Sequence, residues 1–381
     1  MNVTNLDKCT GCSLCVISCP VNAISQVIRP CAAFWYPEID ETKCIKCNRC
    51  ASVCPQNNTK IRKYESTTLV AQSTDIETLK STTSGGVASA LAKSFVQNGG
   101  VVYGAAFDSS MSLSHIRCIS ENDCEKIKGS KYVQSDILGV YEQIARDLNL
   151  GSAVLFFGTP CQCAGVKEAF DKYSNLYCCD FICNGVGSPV VFEKHIGYLE
   201  HVHHCKIVNY NFRPKKYNYL EPYELITDKN GKEYHNKSPY KKWGSIYYSG
   251  LSVRPSCYEC KFIKTEARVS DITLSDIPNE VCGAVDPPFN ISRYGCSLIN
   301  IHNSKGFRLL EWAESSLYTK KVNCAMNDSN KHTKQSPKIR DDFLVEANNS
   351  LEKAKVKHLG VTLKIKGFII EILDNISKKR G

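Results

Sequence analysis

Short apolar runs alternate with helix-like stretches through the middle of this 381-residue chain. Leu69 to Ala71, Val101 to Phe107, Ala153 to Phe157 and Leu176 to Ile182 read as strands. Gly86 to Gln97, Leu138 to Leu148, Gln162 to Phe170 and Val190 to His201 carry helical patterning. Such alternation predicts an α/β domain with a largely parallel sheet. After Cys205 the texture turns strand-rich, with Asn230-Gly231 as a hairpin turn between Tyr223 to Asp228 and Glu233 to Lys237. A strand pair, Asp271 to Leu274 and Ser297 to His302, precedes a helix from Lys305 to Ser315. Residues 320–350 are polar with little apolar periodicity, so a linker or surface excursion is expected there.

The first 60 residues follow a cysteine pattern instead. Two runs repeat one spacing, Cys9-x2-Cys12-x2-Cys15-x3-Cys19-Pro20 and Cys44-x2-Cys47-x2-Cys50-x3-Cys54-Pro55, around the bridge Phe34-Trp35-Tyr36-Pro37. Three cysteines at successive threes converge on one 4Fe-4S cube, and in two-cluster ferredoxins the fourth ligand comes from the other run. One cube is therefore assigned to Cys9, Cys12, Cys15 and Cys54, the other to Cys44, Cys47, Cys50 and Cys19. Zinc sites favour paired CxxC spacings over a triple with a remote fourth.

Composition narrows the setting. A disulfide scaffold with 22 cysteines would be small and secreted. The start Met1-Asn2-Val3 reaches a cysteine by Cys9, with no room for a leader, so a reducing, cytoplasmic location is expected. No apolar run approaches the ~20 residues that span a bilayer. Of the net charge of +10, half lies from Leu351 onward, where eight Lys or Arg face three acids. Val361, Leu363, Ile365, Phe368, Ile369, Ile372 and Ile376 are interleaved with them. A terminal helix with a solvated lysine face is the ordinary reading, and peripheral contact with an anionic membrane is the alternative. No nucleic-acid reader motif accompanies the charge.

Three further motifs carry chemistry. Thr82-Thr83-Ser84-Gly85-Gly86 opens a helix, where backbone N–H groups suit a pyrophosphate, although such residues also cap helices that hold no ligand. Gly158-Thr159-Pro160-Cys161-Gln162 follows a strand at the end where α/β sheets bind ligands. Cys257-x2-Cys260, with Cys161 and with Cys183 of Cys183-Asn184-Gly185, supplies four thiols at or near strand ends, a candidate third cage in which iron-sulfur is favoured over zinc. The remaining Cys31, Cys118, Cys124, Cys163, Cys178, Cys179, Cys205, Cys282, Cys296 and Cys324 are read as structural. The same holds for the tract His201-Val202-His203-His204-Cys205 at a helix end.

The succession of these motifs with Gly99-Gly100-Val101-Val102-Tyr103-Gly104, Gly129-Ser130-Lys131-Tyr132-Val133-Gln134-Ser135 and Pro255-Ser256-Cys257 resembles the beta-subunit family of coenzyme F420 hydrogenase/dehydrogenase over residues 1–315. The resemblance implies a ferredoxin-type module (1–62), a flavin-binding α/β oxidoreductase domain with an inserted strand-rich region (66–318), and a polar linker with a basic amphipathic tail (319–381), α+β overall. It implies FAD held by Ser84, Gly85, Gly86, Lys131, Tyr132, Gly158, Thr159 and Asn184, fed by two or three 4Fe-4S clusters. Expected partners are a small electron carrier or redox protein and an organic hydride substrate such as a deazaflavin; a non-catalytic electron-transfer subunit is the alternative. The family commonly has Cys-His-Gly where this chain has Cys183-Asn184-Gly185, and Gly-Asp-Phe-Trp-Gly where it has Ser275-Asp276-Ile277-Pro278-Asn279. The first change removes an imidazole; the second removes the aromatic of a family-like substrate pocket.

Overall fold

The computed structural model describes residues 6–29, 33–58, 66–216, 218, 221, 223–264, 268–277, 286–324 and 337–360. Cys31, Cys282, Pro278-Asn279 and the basic segment 361–381 lie outside the described residues.

In chain order the strands are β1 (Ile24–Arg29), β2 (Phe34–Ile39), β3 (Thr67–Ser73), β4 (Val101–Phe107), β5 (Leu113–Cys118), β6 (Val154–Phe157), β7 (Leu176–Phe181), β8 (Ile207–Asn211), β9 (Glu224–Asp228), β10 (Glu233–Asn236), β11 (Ile272–Asp276), β12 (Ser297–Ile301) and β13 (Leu317–Lys321). β1 and β2 form an antiparallel ribbon between the two cysteine runs. Eight strands build the main sheet in the order β13-β3-β12-β11-β7-β6-β4-β5. Its centre, β11-β7-β6-β4, is parallel, and every flanking pair is antiparallel. The sheet is therefore mixed where the sequence predicts a largely parallel one. Only a dozen or more residues of crossover can bring a strand back parallel. β4 and β5 are joined by a tight turn in which Asp108 Oδ1 accepts from the Ser110 and Ser112 amides, which forces antiparallel pairing.

The helices predicted after β3, β6 and β7 are found at Val87–Gln97, Pro160–Phe170 and Pro189–His203. Thr159 and Gln162 form a reciprocal capping box at the start of the second. The predicted hairpin is present as β9-β10, joined by β8 into a separate three-stranded sheet.

The linker expected over 320–350 is corrected. β13 adds to the sheet edge beside β3, and helices Pro337–Asn349 and Leu351–Leu359 pack on helix Pro189–His203. Phe343, Leu344, Ala347, Leu351 and Ala354 are buried with Phe192, Ile196 and Trp243. On each helix they form one narrow stripe whose many polar neighbours dilute the apolar signal. Lys355, expected on a solvated face, is fully buried: Nζ donates to Tyr240 O at 3.0 Å beneath the Tyr198 and Tyr240 rings, and burial pushes its pKa down to about 7.

His115 of β5 ties two of the sequence motifs together. Its Nε2 donates to Phe157 O at 2.8 Å, its Nδ1 accepts from Ser135 Oγ at 3.1 Å, and its ring stacks on Phe156. Burial, with a smaller contribution from Lys131, lowers its pKa from 6.5 to about 4. Between those values the unfolded chain binds a proton that the folded chain refuses, so stability falls as pH drops from 6.5 towards 4. The full effect is on the order of 3 kcal/mol. We expect His115→Phe to flatten this acid limb, measured by urea unfolding at stepped pH. Phe343→Ala should lower stability by about 3 kcal/mol or more in the same assay, which a detached C-terminal linker would not show.

Candidate metal centres

Each cysteine run folds through the same backbone device. Gly11 and Ser13 in the first, and Lys46 and Asn48 in the second, have positive φ of 70°, 61°, 56° and 60°, at matching places in the two motifs. Alternation of right- and left-handed residues turns successive amides inward, making a concavity that suits an anionic cluster. Helices Leu14–Ile17 and Arg49–Ser52 follow the two loops and pack against each other.

Cys9, Cys12, Cys15 and Cys54 line one cavity, closed by Gln26, Trp35, Tyr36 and Pro37. This is the crossed grouping expected from spacing, with the β1-β2 ribbon as its lid. Burial pushes the Cys12 thiol up to about 12 and raises Cys15 and Cys54, with neighbouring thiols adding to the effect. Left alone these sulfurs stay protonated; a metal cluster is the kind of ligand that ionises them. In the second set Cys47 is exposed, and Cys50 is raised by burial and by the neighbouring Cys47 and Cys44. Cys19 lies just past the end of helix Leu14–Ile17, where its Sγ accepts from Ala23 N at 3.2 Å. Cys15 lies on the first of the two packed helices and Cys50 on the second, so the two sets adjoin.

The four remaining candidates meet. Cys161 opens helix Pro160–Phe170, with its Sγ 3.2 Å from Thr159 Oγ1. Cys183 follows β7 and accepts from Gly185 N at 3.3 Å. Cys257 and Cys260 sit on successive short turns, Pro255–Cys257 and the residue before Lys261–Ile263. All four thiols are raised by burial; Cys257 senses Cys183, Cys260 and Cys161, and Cys260 reaches about 12. Among the described residues no three Cys, His, Asp or Glu side chains converge on one metal ion. A four-iron cube holds its thiolates farther apart than ligands that share one zinc at about 2.3 Å.

This third set lies against the first. Cys12 senses Cys161, and a Cβ at Gly165 would stand 3.0 Å from Cys12 Cβ, so only glycine lets the helix approach so closely. Lys261 Nζ donates to Gln56 O at 2.6 Å, fastening the CxxC turn to the loop after Cys54. Arg268, fully buried, pairs with Asp180 at 3.0 Å and donates to Ile263 O, fastening the other side of that turn to β7.

Arg254 carries no motif in the sequence. It immediately precedes Pro255-Ser256-Cys257, and its guanidinium is fully buried over the Phe34 and Tyr36 rings, 5.2 and 4.4 Å from their centroids. Nε donates to Cys9 O (2.7 Å), one Nη to Gln134 Oε1 (2.7 Å), and the other to Trp35 O (2.9 Å) and towards Cys9 Sγ (3.7 Å). No carboxylate is among these partners. A Cβ at Gly11 would sit 2.4 Å from Gln134 Nε2 and 2.9 Å from Arg254 Nη1.

The residues expected at a flavin are differently disposed. The Gly85 amide donates to Ser297 Oγ at 3.1 Å, and a Cβ there would lie 2.6 Å from Ala71 O. Gly86, with φ +76°, would crowd Ser73. Both glycines thus have a packing reason, seating the helix on β3 and β12. Lys131 Nζ donates to Ile127 O, Lys128 O and Gly129 O, and burial lowers its pKa to about 7. A Cβ at Gly158 would meet the Phe156 ring at 2.5 Å, and Thr159 is the helix cap described above. Asn184 Oδ1, by contrast, is buried without a hydrogen-bond partner beside Cys183. Tyr132 stacks on Tyr247 at 5.0 Å and lies 6.0 Å from Tyr248, while Tyr247 Oη donates to Gly185 O at 2.9 Å. Tyr247, Tyr248 and Lys215, which donates to Ser84 O at 2.7 Å, are not expected from the sequence; they come from the strand-rich insertion, which carries no motif.

No described helix is long and apolar enough to cross a membrane. Residues 8–58 match the family of 4Fe-4S dicluster domains, and residues 151–325 match the family described as the C terminus of the coenzyme F420 hydrogenase/dehydrogenase beta subunit. No curated protein matches the chain. A chain from the F420-reducing [NiFe] hydrogenase complex of Methanosarcina barkeri is similar at 17% identity with a TM-score of 0.46, covering 79% of this chain and 95% of that one. A 4Fe-4S dicluster domain thus precedes a segment that matches the C-terminal unit of the coenzyme F420 hydrogenase/dehydrogenase beta subunit, and the chain is an iron-sulfur electron-transfer protein similar to that family.

Proposed function

We propose that this chain moves electrons along a line of three 4Fe-4S clusters to a flavin, and so couples a one-electron partner to two-electron chemistry on an organic substrate. The observation that carries this reading is the contiguity of the three thiol sets: the helices bearing Cys15 and Cys50 pack together, and helix Pro160–Phe170, which opens with Cys161, comes so close to Cys12 that a Cβ at Gly165 would stand 3.0 Å from its Cβ. The outer cluster takes Cys44, Cys47, Cys50 and Cys19, the middle one Cys9, Cys12, Cys15 and Cys54, and the inner one Cys161, Cys183, Cys257 and Cys260. Bound clusters supply single-electron transfer, and bound FAD supplies exchange of electron pairs as hydride. For the flavin, Asn184 offers an unpaired acceptor and Tyr132 and Tyr247 offer flat apolar faces beside the inner thiols. The helix start at Ser84 to Gly86 would take the pyrophosphate, with Lys215 as nearby cation and Lys131, Gly158 and Thr159 shaping the surrounding loops. Residues 1–62 then serve as the cluster module and 66–318 as the flavin domain. An external redox protein or small carrier and an organic hydride donor or acceptor, a deazaflavin among the candidates, complete the circuit.

One observation favours the second reading, a relay without flavin: the Gly85 amide and the Lys131 ammonium already have protein partners. Mass spectrometry of cofactors released from anaerobically purified protein separates the two. FAD supports the flavoprotein; folded protein with full iron and no flavin supports the relay.

Three cubes require about twelve irons per chain, at four per cube. The Cys257→Ser, Cys260→Ser variant should lose about four, with both ferredoxin-type signals retained. Iron near eight in wild type and variant alike would remove the inner cluster from the proposal. Cys19→Ser should alter the cluster of the Cys44 run and spare that of its own, as read by EPR of the reduced protein; the reverse result would overturn the crossed ligation.

A further inference from the structure

We propose that Arg254 is the built-in countercharge of the middle cluster and holds its reduction potential above that of the outer one, so that electrons run inward. This rests on the cluster assignment proposed above. A fully buried guanidinium with only carbonyl, amide and ring partners costs several kcal/mol unless something anionic lies beside it. The nearest candidate is the Cys9 sulfur, 3.7 Å from Nη2, in the cavity that Cys12, Cys15 and Cys54 share. Four thiolates around a four-iron cube make that cavity anionic, and one-electron reduction adds a further negative charge without making or breaking a bond. A cation donating towards a cluster sulfur stabilises the reduced form more than the oxidised one.

Burial alone acts in the opposite sense. The cluster among Cys9, Cys12 and Cys54, all buried, loses the solvation that water gives the outer one through exposed Cys47, and would be the harder of the two to reduce. Basic residues near the outer set do not supply an equivalent charge. Lys43, Lys46 and Arg49 are all exposed, so salt and water screen them. Lys261, on the Cys54 side of the middle set, is only half-buried and so is screened by water; Arg254 is the fully buried cation beside that set. It is fixed in place by Gln134, by the backbone of Cys9 and Trp35, and by the Phe34 and Tyr36 faces, all of which hold the cation whether or not the cluster is reduced. The glycine at position 11 leaves the room it needs.

The test is an anaerobic redox titration of the full chain, followed by EPR, with dithionite as the one-electron reductant. In wild type we expect two ferredoxin-type potentials, the higher belonging to the middle cluster. Arg254→Met should shift the equilibrium for reducing that cluster at least tenfold towards the oxidised form, ~59 mV for one electron, and leave the outer potential in place. Arg254→Lys should recover part of the shift. Gln134→Glu places a carboxylate against the guanidinium without removing it, and should lower the same potential; it decides the matter should the Arg254 variants not assemble. Two clusters with unmoved potentials in these variants, or equal shifts in both, overturn the proposal while leaving the cluster assignment standing. Absence of both ferredoxin-type signals from wild type overturns the assignment and this proposal together.

Discussion

Five separate stretches of chain carry the thiols, and a buried cation joins two of them. Arg254 reaches from the CxxC turn into the first cysteine loop, with hydrogen bonds to Cys9, Trp35 and Gln134. Lys261 makes a second tie to Gln56, and Arg268 anchors the far side of the turn to Asp180 on β7. The mixed sheet fixes where β6 and β7 end, hence where Cys161 and Cys183 stand; these three basic residues carry the CxxC pair to them. An ion pair such as Arg268 with Asp180, both fully buried, adds little net stability because desolvation offsets most of the attraction. What it contributes is placement: removing either member leaves a bare charge in the interior, so the turn has one low-energy position.

Much of the candidate site was legible because cluster ligation imposes strict spacing. The two cysteine runs announce themselves, and Cys54 of the second lines one cavity with Cys9, Cys12 and Cys15 of the first. The assembly of Cys161, Cys183, Cys257 and Cys260 was also readable, since strand ends in an α/β sheet are where ligands converge. Arg254 was not readable in the same way, for a single arginine before Pro255 has no periodicity and no pattern. Only the fold shows that it is buried. The glycines at 85 and 86 illustrate the opposite error, in which a phosphate-like motif also meets a packing need, Gly85 lying where a side chain would strike Ala71 O.

For the fold, strands and helices of the α/β core appear within a few residues of their expected limits, because buried strands and amphipathic helices have strong patterns. The sheet's edges and helix Pro337–Asn349 were missed, whereas a terminal helix from Leu351 was expected. β5 pairs through a tight polar turn, β13 has one buried residue followed by solvent-facing ones, and helix Pro337–Asn349 buries a narrow stripe amid charges. In each, tertiary contact rather than local composition decides the outcome.

The unequal exposure of the thiol sets has a further consequence. Cys47 faces solvent, Cys44 and Cys50 are half-buried, and Cys9, Cys12 and Cys54 lie inside. Oxygen, peroxide and chelators reach a cluster from the water, so damage would start at the Cys47 rim and work inward. The inner thiols are held by the sheet, the capped helix and the basic anchors, none of which depends on the outermost cluster. With clusters bound as proposed, air would disable such a chain as a cut wire rather than a collapsed fold, the contact at the rim being lost before the interior.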